Sequence, residues 1–221
     1  MKPFLSIILP IQNEGEGLLD SFLSLDYMLS LSEFSYECVC VYMKPSQESR
    51  LVCEKFSNLV KYMRVHEIKD YKGWNSAFIE GAQVTKGNIR MFLDPHAISV
   101  FSERDKFLQK IRDGYECVIS IDGEIEGDYT YPKSIPRMIM YKEDLVSLFE
   151  KEIHLFHKRR VALAEIVGAL LKNKNRVYAV PLKKKDIIPL RSSFMETLVN
   201  KKKLFMLGRA HKKRIKLEIK K

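Results

Sequence analysis

Strand-length runs that alternate with segments of helical spacing constrain the fold of this chain more than any other feature. Phe4–Pro10, Glu37–Val41, Lys61–His66, Ile89–Leu93 and Glu116–Ile121 all have strand length. Most are apolar throughout rather than alternating, as in strands buried on both faces. Helical patterns separate them. Leu18, Leu19, Phe22, Leu23 and Leu25 follow the first run, Ser46–Leu59 follows the second, and Gly73 opens a third segment that stops near Lys86-Gly87. Ser102–Arg112 is expected to be a helix with Ser102 as N-cap and Asp105 at N3. Strands linked through helices need crossover connections. The expected fold class is therefore α/β, with a mainly parallel, Rossmann-like sheet flanked by helices.

The second half is less regular. Tyr129–Tyr141 contains Pro132 and Pro136 and reads as irregular strand or loop. Lys142–Phe149 and Lys158–Leu171 read as helices, and Val177–Pro181 as a short edge strand. No internal repeat or Gly/Ser linker divides the chain, so residues 1–200 are expected to form one domain and residues 201–221 a basic tail. That tail holds ten Lys/Arg against Glu218 alone, and so nine of the ten net positive charges. A nearly neutral body argues against nucleic acid as the partner of the folded domain. Met195, Leu198, Val199, Leu204, Phe205 and Met206 give the segment before the tail an apolar side, as expected either of a helix lying on a membrane surface or of an ordinary packed helix. No run is long enough to span a membrane, and Met1–Ile8 lacks a signal peptide's apolar stretch. Cys38, Cys40, Cys53 and Cys117 follow no zinc spacing and are expected to be reduced core thiols. Together these features imply a cytoplasmic protein, with peripheral contact at the inner face of a membrane through the tail.

In open parallel sheets ligands bind beyond the carboxyl ends of the strands. Three polar turns fall there: Pro10–Glu14, Tyr42–Ser46 and Asp94–His96. The carboxylate and imidazole of Asp94-Pro95-His96 can both reach one divalent ion, and mixed oxygen and nitrogen ligation favours Mn²⁺ over Mg²⁺. The plainer reading of the same tripeptide is a turn in which Asp94 caps the next segment and His96 meets solvent. Gly73-Trp74-Asn75-Ser76-Ala77 places small residues at a helix start, where free N–H groups suit phosphate.

Taken in order, these residues resemble family 2 glycosyltransferases of the GT-A fold. Ser6–Glu14 is similar to the family's opening strand and its Pro-x-Tyr-Asn-Glu turn. Glu37–Ser46 falls at the second strand and Asp-Asp-Gly-Ser turn, and Phe92-Leu93-Asp94-Pro95-His96 at the Phe-Leu-Asp-Ala-Asp metal motif. Arg137-Met138-Ile139-Met140-Tyr141-Lys142-Glu143 and the stretch from Ala164 to Pro181 resemble polyprenyl-phosphate sugar transferases. The resemblance implies transfer of a sugar from a nucleotide-sugar donor to a glycan or lipid-phosphate acceptor at a membrane surface, assisted by a divalent metal. Pro10, Gln12, Asn13, Glu14, Tyr42, Gly73, Asn75 and Asp94 would line the donor site, and Arg137 would meet a phosphate. Asp94 and His96 would hold the metal, with a third ligand from His154, His157 or His211; His157 is taken as the candidate. Among Asp122, Glu124, Glu126 and Asp128, the first two are the candidates for a catalytic base.

The departures are specific. Tyr42-Met43-Lys44-Pro45 stands where the family has paired aspartates, Gln12 replaces a tyrosine, and His96 replaces the second metal-motif aspartate. They leave a second reading open, a non-catalytic GT-A-like module that docks to a partner or a membrane through its basic tail.

Overall fold

A computed structural model describes residues 2–15, 17–69, 71, 73–122, 126–129, 136–152 and 159–182, with the backbone alone for 122, 152 and 159–162. The first strands are β1 (Leu5–Ile11), β2 (Tyr36–Tyr42), β3 (Met63–Glu67) and β4 (Ile89–Leu93). They are joined by α1 (Gly17–Ser30), α2 (Gln47–Leu59) and α3 (Trp74–Val84). After a 3-10 segment over Pro95–Glu103 come α4 (Arg104–Arg112), β5 (Cys117–Asp122), β6 (Gly127–Asp128) and β7 (Pro136–Lys142). A 3-10 turn over Glu143–Leu145, α5 (Val146–Glu152), α6 (Arg159–Lys172) and β8 (Val177–Leu182) follow.

The strands form one sheet in the order β3-β2-β1-β4-β7-β5-β8-β6. Pairings among β1, β2, β3 and β4 are parallel, as is β5 with β8. β7 runs antiparallel between β4 and β5, and the expectation of irregular chain there is corrected: its seven residues form a central strand. Proline is tolerated because Pro136 is the first residue of that strand. The register of β5 on β7 shifts between Ile119 and Ile121, where the Ser120 hydroxyl accepts the Met138 N–H at 2.7 Å. β8 is not the edge strand expected; the two-residue β6 lies outside it.

Strand alternation sends side chains to two apolar layers. Leu9, Cys40 and Leu93 pack with Leu18 and Phe22 of α1 and Cys53 and Phe56 of α2. Ile8, Val41, Phe92 and Ile139 pack with Phe78 of α3, Phe149 of α5 and Ile166 of α6. All four cysteines are buried and free, which agrees with their expected place in the core.

The helix starts are local. The Ser46 hydroxyl accepts the Ser49 N–H at 3.2 Å and caps α2. Gly73 precedes α3 with φ +150, a backbone region that favours glycine. Ser102 does not cap α4 as expected. Its hydroxyl donates to the Ser99 carbonyl at 2.8 Å within the 3-10 segment, and the residue at the cap of α4 is Glu103, whose side chain does not cap the helix. No helix among the described residues is long and apolar enough to cross a membrane.

Candidate functional site

The site is built from what the sheet brings to the carboxyl ends of β1, β2 and β4. The first two turns are knit together by backbone bonds. Met43 N–H donates to Ile11 O at 2.8 Å and Ser46 N–H to Gln12 O at 2.9 Å. Gln12 N–H donates to the Glu14 carboxylate at 2.7 Å, while the side chains of Gln12 and Asn13 face solvent. Pro10 is buried within β1. These bonds tie the two turns into one ledge at the sheet edge.

Tyr42 points away from that edge. Preceded by Val41 in the α3 layer, it packs in the α1/α2 layer, 2% exposed, with its hydroxyl donating to Arg50 O at 3.2 Å. The Arg50 guanidinium lies 4.8 Å from the ring centroid and pairs with Glu67 at 2.7 Å. Burial pushes the Tyr42 phenol well above its ordinary value, and the neighbouring Cys53 adds to the shift. Lys44, in the same turn, takes φ +57 and lies 5.6 Å from the ring centroid of Tyr71. A non-glycine residue in that region is strained, and strain of this kind collects at functional turns.

Asp94 ends β4. Its carboxylate accepts the His96 N–H at 2.9 Å, so the capping turn the sequence allowed is present and opens the 3-10 segment with Pro95 at its start. Its other oxygen lies 3.9 Å from Nη1 of Arg137, and the two residues are only 3% and 8% exposed. The backbone explains the meeting. β7 pairs antiparallel with β4, Leu93 stands opposite Met138, and Asp94 N–H donates to Arg137 O at 3.3 Å. Leu93 and Met138 both pack in the α1/α2 layer, so alternation turns Asp94 and Arg137 toward α3.

The start of α3 packs on the same face of the sheet. Trp74 stands edge-on to Phe92, two residues before Asp94, with ring centroids 5.1 Å apart. Asn75 is fully buried and its amide donates to the Glu165 carboxylate of α6 at 3.2 Å. The backbone N–H groups at the start of α3 therefore lie beside a buried set of polar side chains, an arrangement suited to an anion. Glu165 was not singled out by sequence. The signal was present: an acid inside the otherwise apolar run Val161–Leu171 marks a buried charge.

The remaining candidates are dispersed. His96 lines a groove of about 580 Å³ between α1 and the 3-10 segment, with Asp20, Ser21, Ser24, Tyr27 and Met28. Asp122 is the last residue of β5; Glu124 lies outside the described residues, as do His154, His157, His211 and the segment 183–221 with its basic tail. Glu126 pairs with Lys106 at 2.6 Å, and Asp128 accepts the Tyr115 hydroxyl at 2.6 Å. Among the described residues no three His, Cys, Asp or Glu side chains form a group able to hold a metal ion. The described residues do not fit the expected ion between Asp94 and His96: the carboxylate faces a guanidinium and the imidazole lies in the groove beside α1.

A search of curated protein sequences finds no significant match. Among solved structures, a nucleotidyl transferase from Methanothermobacter thermautotroptrophicus aligns over 92% of this chain and 99% of its own, with 13% identity and a TM-score of 0.57. S. aureus TarS 1-349 in complex with UDP-GlcNAc aligns over 83% of this chain at 14% identity and a TM-score of 0.54. The mannosyltransferase PcManGT from Pyrobaculum calidifontis, in complex with GDP-Man and Mn²⁺, aligns over 84% at 13% identity and a TM-score of 0.56. This chain spans 59% of the length of each of the last two. These likenesses establish the GT-A-like α/β fold. The profile of glycosyl transferase family 2 matches residues 6–171, from β1 through α6, and the chain belongs to that family of glycosyltransferases.

Proposed function

We propose that the chain transfers a sugar from a nucleoside-diphosphate donor bound at the carboxyl edge of the β1–β4 sheet, on the α3 side. One observation carries this reading: the buried Asp94–Arg137 pair lies at the edge of the sheet whose β4 residue Phe92 packs on Trp74 at the start of α3. The ledge of Pro10, Gln12, Asn13 and Glu14 would border the nucleoside. Arg137 and the first N–H groups of α3, at Gly73 to Asn75, would face the diphosphate. In the transfer an acceptor oxygen forms a bond to the anomeric carbon with inversion. The bond from that carbon to the diphosphate breaks, and its electron pair leaves with the nucleoside diphosphate. Asp122, at the end of β5, and Glu124 are the candidates to take a hydroxyl acceptor's proton. An ionised lipid phosphate would need no such base.

The acceptor proposed is a lipid phosphate or a glycan at a membrane surface, with residues 201–221 held by anionic headgroups at about 1 kcal/mol for each cation near them. Sedimentation with phosphatidylglycerol vesicles tests this, and equal recovery with neutral vesicles would contradict it. The expected divalent ion, Mn²⁺ ahead of Mg²⁺, carries no step here, because the described residues do not assemble its ligands. Release of nucleoside diphosphate from UDP- and GDP-sugars in the presence of a polyprenyl phosphate tests the transferase reading. Turnover supports it. Donor binding without turnover favours the non-catalytic module, and no binding by any donor sinks the transferase reading and leaves the module.

A further inference from the structure

A diphosphate carries negative charge that its site must balance, and two solutions exist: a divalent ion held by several protein ligands, or fixed cations. At the carboxyl edge described here the second is laid out. The Oδ2 of Asp94 lies 3.9 Å from the Arg137 guanidinium. An ion on that oxygen would stand against a positive group almost sealed from water, where like charges repel strongly. The second turn of the same edge offers Lys44, over Tyr71, rather than an acid. His96, the other ligand the sequence suggests, lies in the groove beside α1.

We infer that Arg137, held by Asp94, supplies the countercharge for the donor's diphosphate, so that nucleotide binding requires no divalent ion. The inference rests on the nucleotide-sugar reading and deepens it. A guanidinium suits this role because its planar donors can engage two phosphate oxygens at once, and because it stays charged at every working pH. The Asp94 carboxylate then acts as a positioning group: it orients the guanidinium and lowers the cost of keeping it buried.

The test is calorimetric titration of the full 221-residue chain with UDP and with GDP, once in EDTA and once in Mn²⁺. Affinity within about twofold between the two buffers is expected. Arg137→Ala should weaken binding about 10- to 100-fold in EDTA, the loss of a charge-assisted hydrogen bond to phosphate. Because removing one member of a buried pair can unfold the protein, Asp94→Asn/Arg137→Met supplies a neutral replacement of similar size. It should melt as a folded protein and show the same loss. Asp94→Asn alone should lose less affinity in EDTA than Arg137→Ala does, since the cation remains and only its positioning partner is neutralised. Binding only in Mn²⁺, or abolished by Asp94→Asn while Arg137→Ala binds normally, would overturn the inference and leave the donor reading intact. Binding in neither buffer would overturn both.

Discussion

The two faces of the sheet differ in what they bury. On the α1/α2 face the strands send in Leu9, Cys38, Cys40, Leu93 and Met138, and Tyr42 with its hydroxyl tied to Arg50 O. On the α3/α6 face the chain buries the pairs Asp94–Arg137 and Asn75–Glu165 as well as Phe78, Phe92 and Tyr141. A buried polar group is costly unless it is paired, so a fold keeps such groups only where they are satisfied or used. The first face is built to hold the sheet. The second combines holding with a charged edge, and a donor is proposed to bind there.

That contrast can be broken most forcefully at Arg137. Arg137→Ala leaves Asp94 buried without its cation, and breaking a buried pair costs about 3–5 kcal/mol. Urea unfolding should show a loss of that size, and a loss below about 1 kcal/mol would mean that solvent screens the pair as it does on a surface.

The seat of α3 comes next. A Cβ at Gly81 would stand 2.4 Å from Cγ2 of Ile8 and 3.3 Å from Cγ2 of Val41, so the helix lies against β1 and β2 only because that position carries no side chain. Gly81→Ala should cost about 1–3 kcal/mol in stability through overpacking. It should also weaken UDP or GDP binding, since the start of the same helix faces the proposed diphosphate. Lost stability with unchanged affinity would separate the helix from the site.

Tyr42→Phe sharpens the comparison from the other face. It removes one hydrogen bond and should cost about 0.5–1.5 kcal/mol in thermal or urea unfolding. Donor affinity is the discriminating measurement. Retained affinity leaves Tyr42 in the α2 layer, and a clear loss would return it to the pocket that the sequence suggested.

The smallest effect is at the far end of the strands. The Glu37 carboxylate accepts the Ser6 hydroxyl and the Lys86 N–H, both at 2.6 Å, and pairs with Arg64 at 3.3 Å. Burial alone would raise its pKa, but these bonds together hold it below the ordinary value of 4.5. A depressed carboxylate stabilises the fold above its unfolded pKa and loses that contribution as pH falls through the lower folded value. Stability measured downward from pH 5 should therefore fall less steeply in Glu37→Gln than in the parent chain. An identical acid limb would remove Glu37 from the account.

Much of this was legible in the sequence. The first five strands and α1, α2 and α3 are long, apolar and punctuated, so periodicity placed them within a few residues. β7 was obscured because Pro132 and Pro136 suggest a loop, whereas a strand whose first residue is proline sacrifices no ladder bond inside the sheet. β8 looked like an edge because nothing local announces a two-residue neighbour such as β6. Ser102 was the right residue type for a cap, but the preceding 3-10 turn claimed its hydroxyl. In the site, spacing located Asp94 and resemblance suggested Arg137, but neither could show that they pair. Their meeting depends on the antiparallel insertion of β7 between β4 and β5, a choice of topology that residue patterns along one strand do not carry.

Amide chemical-shift mapping of the full chain with UDP-GlcNAc and GDP-mannose tests the central claim most directly. The predicted result is a cluster of shifted amides at 12–14, 73–76, 94 and 137, on the α3 side of the carboxyl edge. Shifts confined to the α1 groove around His96, or to the flank of α2 and β3 around Arg50 and Glu67, would contradict it.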